Sequence, residues 1–266
     1  MQADRGSAER TVLETAVREA GAIALKTFGG PVEQWTKGGS SPVCEADIAV
    51  DRFLRERLGH AFPAHSWLSE ETEDDPRRLE ADTLWIVDPI DGTRAYLEGK
   101  PDWSVSAALA VGGRPKLAVL FAPVTDEFFL AVAGGGASRN GVPMQVNPGE
   151  GFDGAKLLGP KRVLGGLADL HPAVVPLPRI GSLALRLARI AHGAADIAVV
   201  GGNSHDWDLA AADLLVHEAG GMVTDLDGER PTYNRPEPVH GILVAAGRSR
   251  HGPALALIRE HKAKFP

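Results

Sequence analysis

Residues 85–96 read WIVDPIDGTRAY, and this stretch restricts the fold more than any other. The apolar run Leu84–Val87 has the character of a buried strand, and it ends on Asp88. Pro89 fixes φ and has no N–H to give to a ladder, so the chain is expected to leave the sheet there. Asp88 and Asp91 then sit together at the strand's C-terminal end. Two carboxylates that close repel unless a cation lies between them. With the Ile90 carbonyl they form an oxygen-only donor set, which suits Mg²⁺, whereas zinc favours His and Cys. Gly92 and Thr93 follow, where TRAYLEG can open a helical turn. Backbone N–H groups at such a turn bind phosphate, and Gly lets the anion approach closely. On its own, DPIDG is also compatible with a plain Asp-Pro/Asp-Gly turn carrying solvated acids.

The rest of the composition narrows the class. A chain of 266 residues is long enough for one large domain or two small ones. The net charge of −7 argues against binding a nucleic-acid backbone, which calls for a basic stripe. It does not argue against an anionic small substrate, because bound cations reverse the sign locally. The one cysteine, Cys44, permits no intrachain disulfide and reads as a small packed residue. No apolar run approaches the roughly 18 residues of a membrane span, and the charged N-terminus lacks a signal-peptide core. A cytoplasmic protein is the expectation.

Along the chain, Leu13, Val17, Ala20, Ala24 and Phe28 place one face of a helix over 7–28, stopped by Gly29-Gly30. Residues 37–43, KGGSSPV, read as a loop, and a second helix starts near Glu45 with Val50, Phe53, Leu54 and Leu58 on one side. Residues 72–83 read as a polar connection. Short strands over 103–111, 116–123 and 127–134 suggest an antiparallel meander, followed by an Asn-Gly turn in SRNGVPMQV. From residue 155 the pattern alternates: strand 155–158, helix 182–193, strand 195–200, helix 208–221, strands 222–226 and 241–247, and a closing helix 252–262. The expectation is an α+β half, 1–154, with an antiparallel sheet, followed by an α/β half, 155–266.

Other acids stand in suggestive contexts. LSEET puts Glu70 and Glu71 upstream of the strand, and Glu71, Glu73, Asp74 and Asp75 read as a solvated charge run. Asp208 lies in the first turn of the helix in HDWDLAAADLLVHEAGG, and Asp47 in the first turn of the second helix. Each could be no more than a helix-start acid favoured by the macrodipole, worth about 0.3–1 kcal/mol. Spacing does not decide among them.

Taken in order, DPIDGT, the upstream Glu70-Glu71 pair and WDLAAADLLVHEAGG resemble the inositol monophosphatase superfamily of metal-dependent phosphatases. The match runs over roughly residues 10 to 260. The resemblance implies a layered α-β-α-β-α sandwich. It implies that Glu70, Asp88 and the Ile90 carbonyl hold a first Mg²⁺, and that Asp88, Asp91 and Asp208 hold a second. Some members hold a third ion near Glu70. It also implies that Gly92-Thr93 cradles the phosphate, that Asp91 and Asp208 border the substrate, and that Thr93 with Asp47 helps deprotonate an attacking water. Members are commonly dimers, and the antiparallel first-half sheet offers an interface.

Departures from the family pattern bear on the substrate. Inositol-preferring members carry a glutamate seven residues before the last metal aspartate; here that position is Gly201. Arg94 after Thr93 resembles both the bacterial bisphosphate-nucleotidase-like and the histidinol-phosphatase-like branches, and Tyr233-Asn234 in the tail resembles bacterial 3'(2'),5'-bisphosphate nucleotidases. These features make adenosine 3',5'-bisphosphate the expected substrate, with inositol 1-phosphate and histidinol phosphate as rivals. Lys161 and Arg162 are candidates for a second phosphate, or an ordinary solvated pair at a strand end. Ser182 is a candidate substrate contact, or a simple helix N-cap. His205 is expected near the metal site. Trp35 and Trp103 could border a base, but buried packing is expected of both. A regulatory metal-binding protein without catalysis is the reading of another class; Asp91→Asn is expected to separate the two by abolishing hydrolysis without unfolding.

Overall fold

The computed structural model describes residues 2–37 and 41–261; the middle of the expected 37–43 loop and the last residue of the expected closing helix lie outside them. In chain order, α1 (Gln2–Leu25) leads to a hairpin of β1 (Gln34–Lys37) and β2 (Ser41–Cys44), then α2 (Glu45–Ala61) and β3 (Ser66–Ser69). A short 3-10 helix, Pro76–Glu80, precedes β4 (Thr83–Asp91) and α3 (Thr93–Leu97). The meander is β5 (Ser104–Val111), β6 (Arg114–Ala122), β7 (Glu127–Val132), β8 (Gly136–Arg139) and β9 (Val142–Pro143). The second half runs β10 (Lys156–Leu158), α4 (Lys161–Leu170), β11 (Val175–Pro176), α5 (Leu183–Ala191), β12 (Ile197–Val200), β13 (Ser204–His205) and α6 (Asp206–Glu218). It ends with β14 (Gly221–Asp225), β15 (Val239–His240), β16 (Leu243–Gly247) and α7 (Arg248–His261).

Two sheets organise these elements. The larger has the order β3-β4-β5-β6-β7-β8-β9, parallel at β3/β4 and antiparallel elsewhere. The smaller has the order β11-β10-β12-β16-β14, with β10 parallel to β11 and β12, and antiparallel pairing around β16. Alternation along the strands assigns each face to a layer. Trp85, Val87, Val105, Ala107, Val119 and Phe128 pack one face of the large sheet on α1 and α2. Leu84, Ile86, Ala108, Leu120 and Phe129 pack the other face on α5 and α6. Beyond those helices, Leu158, Ala198, Val200 and Ala245 line the inner face of the small sheet. Its outer face, with Leu157, Ile197, Val199 and Val244, is covered by α4 and α7. The expected α-β-α-β-α sandwich is therefore observed, and its middle helical layer belongs to both sheets.

Several expectations need correction. The chain does not leave the large sheet at Pro89. Pairing skips from Asp88↔Ser106 to Asp91↔Ser104, so the Pro-Ile step is absorbed as an irregularity and the strand resumes. Residues 34–37 and 41–44 form a hairpin. Residues 161–170 form a helix rather than extending a strand end; Val163, Leu164 and Leu167 are its buried stripe, despite the paired glycines beside them. Trp103 is fully buried against Phe28 and Tyr96, whereas Trp35 is 47% exposed. Cys44 is buried and inert, its thiol pushed up to about 12, first by burial and then by Asp47.

Candidate active site

The site lies where β4 leaves the large sheet toward the middle helical layer. Asp88 and Asp91 come from β4, and Asp208 from the first turn of α6. One carboxylate oxygen from each lies within 4.8 Å of the others. Asp88 is buried, and its Oδ1 has no hydrogen-bond partner. Burial, then the charges of Glu70, Asp91 and Asp208, push its carboxyl far above the usual range. Glu70, just after β3, is pushed up to about 8, by burial first and then by Asp208. Acids held this way await a positive partner. The donor set is carboxylate and carbonyl oxygen only, which is the chemistry Mg²⁺ takes, so these residues fit a divalent hard cation. Asp88, Asp91 and Asp208 are grouped closely enough to hold such an ion.

Asp47 and Asp208 each take part in capping the helix that they open. One oxygen of Asp208 accepts the His205 N–H at 2.6 Å. Likewise Asp47 Oδ2 accepts the Cys44 N–H at 2.8 Å, while Asp47 Oδ1 accepts the Thr93 hydroxyl at 3.3 Å. The Thr93 hydroxyl also lies 3.1 Å from the Ile90 carbonyl. Burial pushes the Asp47 carboxyl up to about 6.

Asp91 is tied to the second half of the chain. Its carboxylate accepts the Ser182 hydroxyl at 2.5 Å, the Leu183 N–H at 3.0 Å and the Ala184 N–H at 2.6 Å, so it caps α5. Its carboxyl stands at about 6, raised mostly by burial and lowered by these donors. Gly92 makes the sharp exit possible. It has φ +96°, and a Cβ there would stand 3.0 Å from the Ser182 nitrogen and 3.2 Å from the Asp102 carbonyl.

A cleft of about 990 Å³ opens over this cluster, lined by Glu70, Asp88, Asp91, Gly92, Thr93 and Asp208 at its base. It is also bordered by Arg94, Lys100 and Arg179 and by apolar Pro42, Leu177 and Ile180.

The model of the inositol monophosphatase family matches residues 7–263. The chain belongs to the inositol monophosphatase family. It is 35% identical over 243 residues to the inositol-1-monophosphatase of Rhizobium meliloti, covering 84% of this chain and 87% of that one. It is 31% identical over 224 residues to the Nus factor SuhB of Escherichia coli, covering 80% of this chain and 83% of that protein. The IMPase of Thermotoga maritima superposes with a TM-score of 0.85 at 26% identity, covering 100% of both chains. As an inositol monophosphatase family member the chain carries the scaffold of a metal-dependent phosphatase, and it presents an acidic cluster.

Within the family scaffold, the structure brings Asp47, Glu70, Asp88, Asp91, Gly92, Thr93 and Asp208 to one place. Ser182 is fully buried and its hydroxyl faces Asp91 and the Ser104 hydroxyl. Lys161 and Arg162 open α4 on the surface and do not line the cleft. Tyr233 and Asn234 are likewise away from it: Tyr233 is buried in the middle layer, and Asn234 bonds Arg78 and Asp206. His205 stacks on Trp207, with its Nδ1 3.8 Å from Asp208. Glu71 is not solvated; its side chain is 4% exposed and lies 3.4 Å from the Lys37 ammonium. Asp74 pairs with Arg78, and Asp75 caps the 3-10 helix. Sequence reasoning missed Lys37, which also donates to the Glu70 carbonyl. It missed Arg179 as well; Pro176 and Pro178 just before it were the available signal.

Proposed function

We propose that this chain is a Mg²⁺-dependent phosphomonoesterase acting on a small phosphorylated substrate, with adenosine 3',5'-bisphosphate preferred. The observation that carries the reading is Asp88, buried with an unpartnered oxygen among acids from three elements. Such a cluster is costly without cations, and the helix-capping bonds of Asp91 and Asp208 leave the Asp88 oxygen without a partner. Bound divalent ions would neutralise it, lower the pKa of a water and stabilise the departing alkoxide.

The chain's own groups supply the rest. Thr93 borders the cleft and donates to Asp47, whose carboxylate is ionised at neutral pH and can take a proton through that hydroxyl. The turn at Gly92-Thr93 presents N–H groups to a phosphate. Asp91, fixed by its donors on α5, keeps its orientation while it holds a cation. Because water is the nucleophile in this reading, no phosphoenzyme accumulates.

Three features support the nucleotide over inositol 1-phosphate. Gly201 offers no carboxylate to ring hydroxyls, the cleft carries arginines, and its lining is partly apolar. The test is phosphate release with Mg²⁺ and with EDTA, using adenosine 3',5'-bisphosphate, inositol 1-phosphate and histidinol phosphate. Selective, Mg²⁺-dependent turnover of the nucleotide is expected. Preference for inositol 1-phosphate would overturn the substrate assignment. Absence of metal-dependent release from any ester would favour the non-catalytic, metal-binding alternative.

A further inference from the structure

We propose that Arg78 and Asn234 form a latch that holds the Asp208 end of the acidic cluster against its Glu70 end, and that this latch sets the cluster's preference for Mg²⁺ over the larger Ca²⁺. Both act as positioning residues. The proposal rests on the reading of the cluster as a divalent-cation site.

Glu70 and Asp208 both line the base of the cleft, but they come from opposite halves of the chain. Asp208 rides on α6, whose body is packed into the core by Leu209, Ala212 and Val216. The first turn of a helix is held less firmly, because its N–H groups have no partners within the helix. Here residues 234–240 wrap that turn. Asp206, two residues before Asp208, is fully buried; its carboxylate accepts the Asn234 N–H at 2.7 Å and lies 2.7 Å from His240 Nε2. The Asp206 N–H in turn donates to the Pro238 carbonyl at 3.0 Å, and β13 pairs with β15 alongside.

The wrap is fastened to the segment that follows Glu70. Arg78 is 2% exposed and grips Asp74 with its Nε at 2.5 Å and its Nη2 at 2.9 Å. Its Nη1 donates to Asn234 Oδ1 at 2.8 Å and to the Arg235 carbonyl at 3.0 Å. The Asn234 amide donates back to the Arg78 carbonyl at 3.0 Å. One asparagine thus bonds Arg78 with both ends of its side chain and Asp206 with its backbone. It holds φ +60°, a region that Asn enters more readily than most residues. Partners of this kind orient metal ligands without touching the ion, and losing one typically costs about 10–100-fold in affinity. Mg²⁺ demands near-ideal octahedral geometry, whereas Ca²⁺ accepts a looser shell of about six to eight oxygens. A ligand end released from its latch therefore penalises Mg²⁺ more than Ca²⁺.

The experiment is calorimetric titration of the whole chain with MgCl₂ and, separately, with CaCl₂, in the absence of any ester. Asn234→Gly keeps the backbone angle and the N–H to Asp206 and removes only the amide. It is expected to weaken Mg²⁺ binding about 10–100-fold and Ca²⁺ binding much less, so that the ratio of the two affinities falls about tenfold. Arg78→Lys keeps the charge but loses the fork, and is expected to shift the ratio in the same direction. Ile258→Val trims the core on the outer side of the small sheet; it is expected to lower stability and leave the ratio as in wild type. A ratio unchanged in Asn234→Gly, or moved as far by Ile258→Val, overturns the latch while the cation site stands. Wild type that binds neither ion overturns the cation reading, and the latch with it.

Discussion

Asp213 lies on α6, away from the cleft, and offers a clean test of how burial sets charge in this fold. It is 1% exposed, and neither carboxylate oxygen makes a hydrogen bond of normal geometry. Burial pushes its carboxyl from 3.8 up to about 6, while Arg230, the nearby Tyr233 hydroxyl, Arg114 and His240 offset part of the cost. The folded state therefore binds this proton more tightly than the unfolded chain does. Below pH 3.8 the group costs nothing; the penalty grows between pH 3.8 and 6 and is complete above that window. At 1.36 kcal/mol per unit it reaches about 3 kcal/mol at neutral pH. Asp213→Asn keeps the shape and removes the charge. The variant is expected to match wild type at pH 3.5 and to exceed it at pH 7.5 by up to about 3 kcal/mol. For a chain of this size that is roughly 6–12 °C in Tm. The amide still has to find partners, so the gain falls at or below that figure. Urea denaturation in EDTA at both pH values measures it, since effects of the acidic cluster are common to the two proteins. A variant less stable than wild type at pH 7.5 would refute the reasoning, because it would mean the arginines and Tyr233 outweigh burial.

Other substitutions probe the site directly. Asp88→Asn is expected to abolish Mg²⁺-dependent hydrolysis without lowering stability in EDTA, because it relieves crowding among the acids. It is also expected to shrink the stabilisation by Mg²⁺ that thermal melts detect, about 2.7 kcal/mol in wild type at a hundredfold excess over Kd. Ser182→Ala removes a helix cap and a donor to Asp91; it is expected to cost about 1 kcal/mol in denaturation and about 10–100-fold in metal affinity by calorimetry. Gly92→Ala forces a side chain onto φ +96° and against the Ser182 and Asp102 backbones, at a cost of about 1–3 kcal/mol in denaturation and with a loss of phosphate release.

How much of this was legible in the sequence depended on how local the signal was. The helix α6 and the meander strands announce themselves by period, and DPIDGT by chemistry. Elements lacking a full period did not: β3 is a four-residue strand, and α4 hides its stripe behind Gly165-Gly166. The acids were harder still. Asp47 and Asp208 look like helix caps because they are helix caps, and only the fold shows that their free oxygens meet Thr93 or the other carboxylates. Asp91 was read as a ligand alone, and Asp91→Asn as a substitution without structural cost. Its bonds to α5 come from residues more than ninety positions away, so the substitution also disturbs a helix start.

That distant cap also dictates an order of assembly. The large sheet can form from residues 66–143, but Asp91 is not fixed until the segment from 182 onward has folded and docked, and Asp208 arrives later still along the chain. Closing so long a loop is slow relative to forming the meander. A refolding chain should therefore regain its sheet signal first and its affinity for divalent ions last, and a ribosome-bound chain truncated before α6 should bind none at this site.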